Sequence, residues 1–233
     1  MNSVTVNLDG KVVAVTGASG ALGTVVVGTL RRCKAVVAQI DHAPPPPGGA
    51  EPLRFGGYDL ADPDAATAAL TRVAAEAGRL DALINIAGGF QFQKFEGGTL
   101  AHWDAMYRQN LRSVVACCSA ALPHLLKNAS GRIINLGAAG AEHAGIGMGG
   151  YAAAKAGVAK LTEALAQEFK DRGITVNAIL PSIMDTPRNR LDMPGADFSR
   201  WVPLDAVADL MAFLLSDAAA AITGALIPIT GRV

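Results

Sequence analysis

The chain lacks an excess of either charge, since twenty Lys and Arg residues balance twenty Asp and Glu residues in 233. Proteins that bind nucleic acids need a basic surface to meet phosphates, so this balance argues against a nucleic-acid partner. Charged residues make up only 17% of the chain, against about 25% in an average soluble domain. So few charges favour burial of additional surface, and we expect a homodimer or homotetramer.

Long apolar runs and cysteine pairs are also missing. No apolar run approaches the roughly 20 residues that a membrane-spanning helix needs, and the start MNSVTVNLDG lacks the pattern of a secretory signal. The cysteines Cys33, Cys117 and Cys118 are odd in number, and no metal-ligand spacing is present. We therefore expect a cytoplasmic protein with no membrane span and no bound metal.

Apolar β-branched segments alternate with amphipathic helical segments, which predicts one α/β domain over residues 1–233 with helices on both faces of a parallel sheet. The predicted strands are Val12–Thr16, Ala35–Ile40, Leu53–Tyr58, Asp81–Asn85, Arg132–Leu136, Ile174–Ile179 and Ala225–Ile229. The predicted helices are Ala21–Arg32, Asp62–Ala77, His102–Leu126, Gly150–Asp171 and Pro203–Leu215. The proline-rich residues 42–52 predict a stiff surface connection in preference to a ligand for SH3-like partners.

A glycine-rich turn, Thr16-Gly-Ala-Ser-Gly-Ala-Leu-Gly23, joins the first predicted strand to the first predicted helix. Its glycines let the backbone approach a pyrophosphate, which the helix N-terminus then stabilises. Asp41 ends the second predicted strand 18 positions after Gly23, where a carboxylate binds the adenosine ribose and repels a 2′-phosphate. No Arg or Lys lies in the loop that follows, so we expect NAD(H) to be preferred over NADP(H). The alternative is a glycine turn and a loop carboxylate without a ligand.

Tyr151 and Lys155 lie four residues apart in a predicted helix, and therefore on one face of it. We expect the ammonium of Lys155 to stabilise the phenolate and lower the pKa of Tyr151 toward neutrality. A proton donor and acceptor beside a nucleotide site is what reversible hydride transfer to a carbonyl or imine requires. The Y-x-x-x-K pattern alone is weak, but it is informative downstream of a phosphate-binding turn.

With further motifs in the same order, the chain resembles the short-chain dehydrogenase/reductase family over essentially its whole length. The further matches are Asp59-Leu60, Asn85-Ile-Ala-Gly-Gly89, Asn110, Ile133-Ile-Asn-Leu136 and Pro181-Ser-Ile-Met-Asp-Thr186. The resemblance implies a doubly wound Rossmann fold with seven parallel strands in the order 3-2-1-4-5-6-7. It also implies that Asn110 holds a water linking Lys155 to solvent for proton relay.

The same resemblance implies the residues of the cofactor site. Besides Tyr151 and Lys155, these are Gly17, Ser19, Gly20, Ala21, Leu22, Gly23, Asp41, Asp59, Leu60, Ala87, Gly88, Gly89, Pro181, Ile183 and Thr186.

Two positions depart from the family pattern. The middle glycine of the turn lies at Gly20, whereas the family has it two residues before Gly23, where this chain has Ala21. The family's catalytic serine lies thirteen residues before the tyrosine, and that position is Ala138 here. A side-chain donor to the substrate oxygen is therefore missing. The nearby Glu142 and His143 either supply polar contacts or face water.

Both departures are similar to those of the dihydropteridine reductases within this family. The similarity extends to an aromatic residue after Ala-Gly-Gly, here Phe90, and to the string DTPRNRLDMPGADFSRW from Asp185 to Trp201. It implies that the string forms a lid over a substrate pocket. The substrate-facing residues would be Ala138, Phe90, His143, Met193 and Trp201. The residues shared with that branch can instead reflect packing of the lid.

These observations leave three hypotheses for function. The first is an NADH-dependent oxidoreductase for a small planar, electron-poor acceptor such as a quinonoid dihydropteridine, which tolerates the loss of the serine donor. The second is a general carbonyl or 3-oxoacyl reductase, which Ala138 opposes. The third is a non-catalytic nucleotide-binding or redox-sensing protein, which the missing serine favours and the intact Tyr151, Lys155 and Asn110 oppose.

Overall fold

Seven parallel strands form the central sheet of the computed structural model, which describes residues 6–44 and 53–233. They are β1 Val12–Thr16, β2 Val36–Ile40, β3 Arg54–Phe55, β4 Ala82–Asn85, β5 Gly131–Leu136, β6 Ile174–Pro181 and β7 Leu226–Ile229. The order β3-β2-β1-β4-β5-β6-β7 confirms the predicted topology. Strands are added toward one edge from β1 to β3 and toward the other edge from β4 to β7. This reversal of strand order between β1 and β4 opens a crevice at the carboxyl ends of the strands.

Seven α-helices connect the strands in the described ranges. They are α1 Ala21–Arg32, α2 Pro63–Ala77, α3 Leu100–Tyr107, α4 Ser113–Leu125, α5 Gly149–Phe169, α6 Pro187–Asp192 and α7 Leu204–Leu215. The single long helix expected over residues 102–126 is wrong, because a π-helical turn at Arg108–Arg112 separates α3 from α4. The short helix α6 was not predicted. Asp62 caps α2 by accepting a hydrogen bond from the Asp64 N–H, and Pro63 takes its first position, as expected.

Each face of the sheet has its own apolar core. Val12 and Ala14 of β1 point toward α2, α4 and α5, whereas Val13 and Val15 point toward α1 and α7. Alternate side chains of a strand face opposite sides, so burial on both faces explains why the strands are apolar throughout. Along each strand, the apolar run that predicted it therefore contributes alternate residues to the two cores.

The edge strand β3 is shorter than the predicted Leu53–Tyr58. Leu53 adopts a left-handed φ of 63°, and Gly57 turns the chain away with a φ of 83°. Regular pairing with β2 is therefore confined to two residues. Residues 45–52 of the proline-rich connection lie outside the described residues.

The helices and cysteines add two findings. None of the helices in residues 6–44 and 53–233 is long and apolar enough to cross a membrane. All three cysteines are free, and burial raises the pKa of Cys118 to about 12. A thiol with so high a pKa is unreactive at neutral pH.

Candidate active site

The glycine turn after β1 is shaped by close backbone approach. Gly17 has a φ of 66°, and a Cβ there would lie 2.9 Å from the backbone N of Ala87. A Cβ on Gly23 would collide with the carbonyl oxygen of Gly17. Gly20 differs, because its φ of −70° is open to any residue, and Ala21 is simply the first residue of α1. The shifted middle glycine therefore leaves the turn intact.

The N-terminus of α1 faces the crevice without a side-chain cap in the described part of the chain. Its first N–H groups are available to an anion, which the helix dipole also favours. Ala21 is exposed there, whereas Leu22 is buried in the core and supplies backbone rather than side chain to this surface.

Asp41 lies beside the glycine turn at the end of β2. Its Oδ2 accepts a hydrogen bond from the Ser19 N–H at 2.9 Å, and its Oδ1 accepts one from the His42 N–H at 2.8 Å. Arg54 of β3 lines the same small cavity as Ser19 and Asp41. The sequence of the loop after Asp41 does not reveal this cation, because Arg54 comes from the neighbouring strand.

Asp59 and Leu60 follow β3 with different surroundings. Asp59 accepts a hydrogen bond from the Ala61 N–H at 3.1 Å and forms an ion pair with Arg108. The Ala61 bond, followed by the Arg108 bond, lowers the pKa of Asp59 below its usual value. Leu60 is only 6% exposed and packs in the core with α2 and α4, so its side chain offers little surface to the cofactor that the resemblance assigns to it.

The segment after β4 is held against the glycine turn. The hydroxyl of Thr16 accepts hydrogen bonds from the N–H groups of Ile86 at 3.1 Å and Ala87 at 3.2 Å. A Cβ on Gly88 would lie 2.7 Å from Asn110 Oδ1 and 3.7 Å from Lys155 Nζ. The sheet thus brings the predicted cofactor segment and two predicted catalytic residues together.

Asn110 fixes this segment from the π-helical turn. Its Oδ1 accepts from the Gly89 N–H at 3.1 Å, while its Nδ2 donates to the Gly89 carbonyl at 2.9 Å and to the Met106 carbonyl at 3.1 Å. π-helical turns inside α-helices are frequent at functional sites. The side chain is fully buried and its amide holds both backbone groups of Gly89 in place. The expected role of Asn110 in holding a relay water stays a prediction.

Lys155 is buried beneath Tyr151 on α5. Its Nζ donates to the Leu136 carbonyl at 2.6 Å and lies 5.8 Å from the centre of the Tyr151 ring. Burial lowers the pKa of Lys155 to about 8 and raises the pKa of Tyr151 to about 12. The expected lowering of the Tyr151 pKa is therefore wrong in this structure. Desolvation of the phenolate by burial causes this rise in the Tyr151 pKa.

The substrate side of Tyr151 is aromatic and lacks a hydroxyl. The ring of Phe90 meets that of Tyr151 edge-on, with centroids 5.3 Å apart and an interplanar angle of 82°. Ala138 is 6% exposed and extended, directly after β5. Glu142 and His143 are exposed, and neither side chain is hydrogen-bonded to another described residue. Their assignment as polar contacts thus gains no support.

The predicted lid follows β6, whose last residue is the buried Pro181. Ile183, two residues before the lid, and Met193, within it, are half-buried. Thr186 caps α6 by accepting from the Asn189 N–H at 3.1 Å. Trp201 is 4% exposed and packs on Phe198 with ring centroids 4.7 Å apart, so it has little surface left for a substrate.

Polar residues of the Asp185–Trp201 string bond mainly to one another. Arg190 donates to both carboxylate oxygens of Asp185, at 2.6 and 2.7 Å. Asn189 Nδ2 donates to the Met184 carbonyl at 2.8 Å, and Asp197 accepts from Ser199 at 2.7 Å. Hydrogen bonds within and next to the lid therefore account for these polar residues without any contact to a substrate.

Taken together, the fold and site define a nicotinamide-dependent oxidoreductase of the Rossmann type. A sequence profile described as short chain dehydrogenase matches residues 11–194. The chain belongs to the short-chain dehydrogenase family and is an NAD(P)-dependent oxidoreductase of that type.

Similar proteins cover nearly the whole chain. D-threitol dehydrogenase of Mycolicibacterium smegmatis is 33% identical over 96% of this chain and 93% of its own length. The 3-oxoacyl-[acyl-carrier-protein] reductase FabG of Pseudomonas aeruginosa is 33% identical over 97% of this chain and 98% of its own. The crystal structure of carveol dehydrogenase from Mycobacterium avium in complex with NAD has a TM-score of 0.86 at 26% identity, covering 97% of this chain and 98% of that chain.

Proposed function

We propose that the chain is a carbonyl or 3-oxoacyl reductase that uses NAD(H) to reduce a small-molecule substrate. The convergence of Asn110 and Lys155 at Gly88, with Tyr151 above Lys155, carries this proposal. The relatives named as a 3-oxoacyl reductase and a polyol dehydrogenase support this alternative better than they support the dihydropteridine interpretation.

The crevice fits a nicotinamide nucleotide. Side chains are excluded at Gly17 and Gly23, the α1 N-terminus is uncapped within the described residues, and a carboxylate stands beside the turn. The turn would hold the pyrophosphate, Asp41 the adenosine ribose, and Lys155 the nicotinamide ribose; when bound, the nucleotide supplies the hydride. We propose a preference for NAD(H) because Asp41 repels a 2′-phosphate, although Arg54 moderates that repulsion.

Tyr151 is the proton donor in the proposed reaction. With a pKa raised to about 12, its hydroxyl is protonated at neutral pH, and an acid is what the reductive direction needs. Lys155, with a pKa of about 8, gains and loses a proton near neutrality and is suited to reprotonate the phenolate.

A second candidate is the reduction of a planar, electron-poor acceptor such as a quinonoid dihydropteridine. Two observations favour it: Ala138 offers no hydroxyl to a developing oxyanion, and the half-exposed Phe90 beside Tyr151 presents a flat apolar surface. A planar acceptor spreads the developing charge over its ring and needs fewer donors at oxygen.

The two candidates are separated by one set of assays. NADH oxidation is measured with a 3-oxoacyl thioester, a simple ketone and quinonoid dihydropterin, and NAD⁺ reduction with threitol. The proposal expects the highest kcat/KM for a carbonyl substrate. A clear preference for the dihydropterin would replace it with the second candidate, and no turnover with any acceptor would support the non-catalytic hypothesis.

An exposed apolar face supports the proposed homodimer or homotetramer. Leu100, Trp103 and Tyr107 recur every three to four residues along α3 and remain exposed, which places them on one side of the helix. Exposed apolar patches of this kind mark interaction surfaces. The absence of a nucleic-acid partner and a cytoplasmic location remain predictions from composition.

A further inference from the structure

A second cavity lies at the opposite edge of the sheet from the glycine turn. It opens at the amino ends of β5 and β6 and has a volume of about 250 Å³. Its polar lining comes from Ser130, Arg132, Lys170, Thr175 and Thr223. An engineered cavity of about 150 Å³ accepts benzene, so this one has room for a small metabolite.

Arg132 in the lining is a buried cation with few partners. It is 5% exposed, and its Nη1 donates to the Gly131 carbonyl at 3.0 Å. Its Nε is buried and has no hydrogen-bond partner among the described residues. A buried guanidinium with so few acceptors is costly, and unsatisfied buried groups point to a bound water or ion.

The Asp217 carboxylate forms only a long ion pair with Arg132. Asp217 Oδ1 lies 4.0 Å from Arg132 Nη2, beyond hydrogen-bond distance. The same oxygen accepts a hydrogen bond from Lys11 Nζ at 2.7 Å, and the Asp217 side chain is 83% exposed. Its charge is therefore shared with Lys11 and screened by solvent.

The rest of the lining consists of donors. Lys170 is the second cation, and its Nζ contacts only the neutral side chain of Gln167, at 2.8 Å, among the described residues. The Thr223 hydroxyl accepts from the Val176 N–H at 3.1 Å, which leaves its proton free to donate. No Asp or Glu belongs to the described lining. Two cations with hydroxyl donors, in a described lining without a carboxylate, are complementary to an oxyanion.

We propose that this cavity binds a small phosphorylated or carboxylated molecule, with Arg132 and Lys170 contacting the oxyanion. Arg132 has a planar fork of donors that matches phosphate and carboxylate geometry. The site is separate from the nucleotide crevice, because the two lie at opposite ends of parallel strands. Binding there does not depend on the proposed carbonyl reduction.

The test is calorimetric titration of the NAD⁺-loaded protein with inorganic phosphate and, separately, with citrate at constant ionic strength. Loading with NAD⁺ prevents anions from entering the nucleotide crevice. Saturable binding of one of these anions is expected, and the better of the two shows whether phosphate or carboxylate is recognised. Lys170→Gln should weaken it about tenfold, the effect of losing one charged hydrogen bond. The control Lys160→Gln removes an exposed lysine that pairs with Glu163 and should change nothing.

Arg132→Met should abolish binding. Should that variant not fold, Lys170→Gln, whose side chain makes no buried contact, decides the matter alone. Absence of saturable binding by either anion in the wild type, or equal weakening in Lys170→Gln and Lys160→Gln, would overturn the proposal.

Discussion

Restoring a hydroxyl at position 138 should increase activity on ketones selectively. Ala138 is 6% exposed and extended, with φ −158° and ψ 140°, a conformation that serine adopts without strain. Its Cβ is already accommodated, so Ala138→Ser adds a single oxygen. An unactivated ketone develops negative charge on its oxygen, and among the side chains assigned to catalysis only Tyr151 has a hydroxyl to meet that charge.

The magnitude follows from two opposing effects. Loss of one oxyanion donor typically costs about 10²–10³ in rate. An introduced donor is oriented less accurately than one held by a dedicated supporting shell, so only part of that factor is expected. We therefore expect kcat/KM for a ketone or 3-oxoacyl thioester to rise by about tenfold or more. A quinonoid dihydropterin should change by less than about threefold, because its charge is delocalised.

The assay compares both substrates with NADH in the wild type, in Ala138→Ser and in the control Ala139→Ser. The control places the same hydroxyl one residue later, where the side chain is half-buried. NADH affinity should be equal in all three proteins. If Ala138→Ser leaves the ketone rate unchanged, or if Ala139→Ser raises it equally, the assignment of position 138 as the missing donor is refuted.

Three further predictions concern charge and backbone. The pKa of Lys155 is about 8 in the folded protein against 10.5 normally, so the unfolded chain binds more protons between these pH values. Relative to Lys155→Met, the free energy of unfolding of the wild type should therefore rise by about 2 kcal/mol from pH 8 to 10. Urea titrations that show no such rise would refute the burial of Lys155. Asp41→Ser should reduce the preference of kcat/KM for NADH over NADPH by about tenfold; an unchanged ratio contradicts the role of Asp41. Gly23→Ala should destabilise the fold by about 1–3 kcal/mol and weaken NADH binding. The control Gly28→Ala should do neither, because its Cβ meets only the flexible Arg32 side chain at 3.6 Å. Equal urea midpoints for the two variants would refute the close packing at Gly23.

The strands could be predicted from sequence because they are buried on both faces. Val12–Thr16 agrees fully with β1, and the start of β5 differs by one residue. The length of the edge strand β3 was overestimated, because its end depends on the left-handed turn at Gly57 rather than on its own apolar residues. Local pattern thus predicts the interior strands well; of the two edge strands it predicts β7 within one residue but overextends β3.

The π-helical turn around Asn110 could not be predicted. Residues on both sides of it favour a helix, so periodicity gives one long helix. The turn is set by tertiary hydrogen bonds from the Asn110 amide to both backbone groups of Gly89, 21 residues away. Such long-range contacts leave no local sequence signal.

Sequence spacing predicted where Tyr151 and Lys155 lie relative to each other but not their electrostatics. Spacing placed Tyr151 and Lys155 on one face of α5, as observed. Spacing does not report depth, and the pKa of Tyr151 depends on its burial. Arg54 was missed for a related reason, since it reaches the surroundings of Asp41 from an adjacent strand.

The central claim is that Tyr151 donates the proton in an NAD(H)-linked reduction. The most direct measurement is kcat together with NADH affinity in Tyr151→Phe, with Tyr107→Phe, an exposed tyrosine on α3, as the control. We predict that Tyr151→Phe lowers kcat by at least about 10² while NADH affinity stays within about threefold, and that Tyr107→Phe changes neither. Undiminished turnover in Tyr151→Phe would contradict the account.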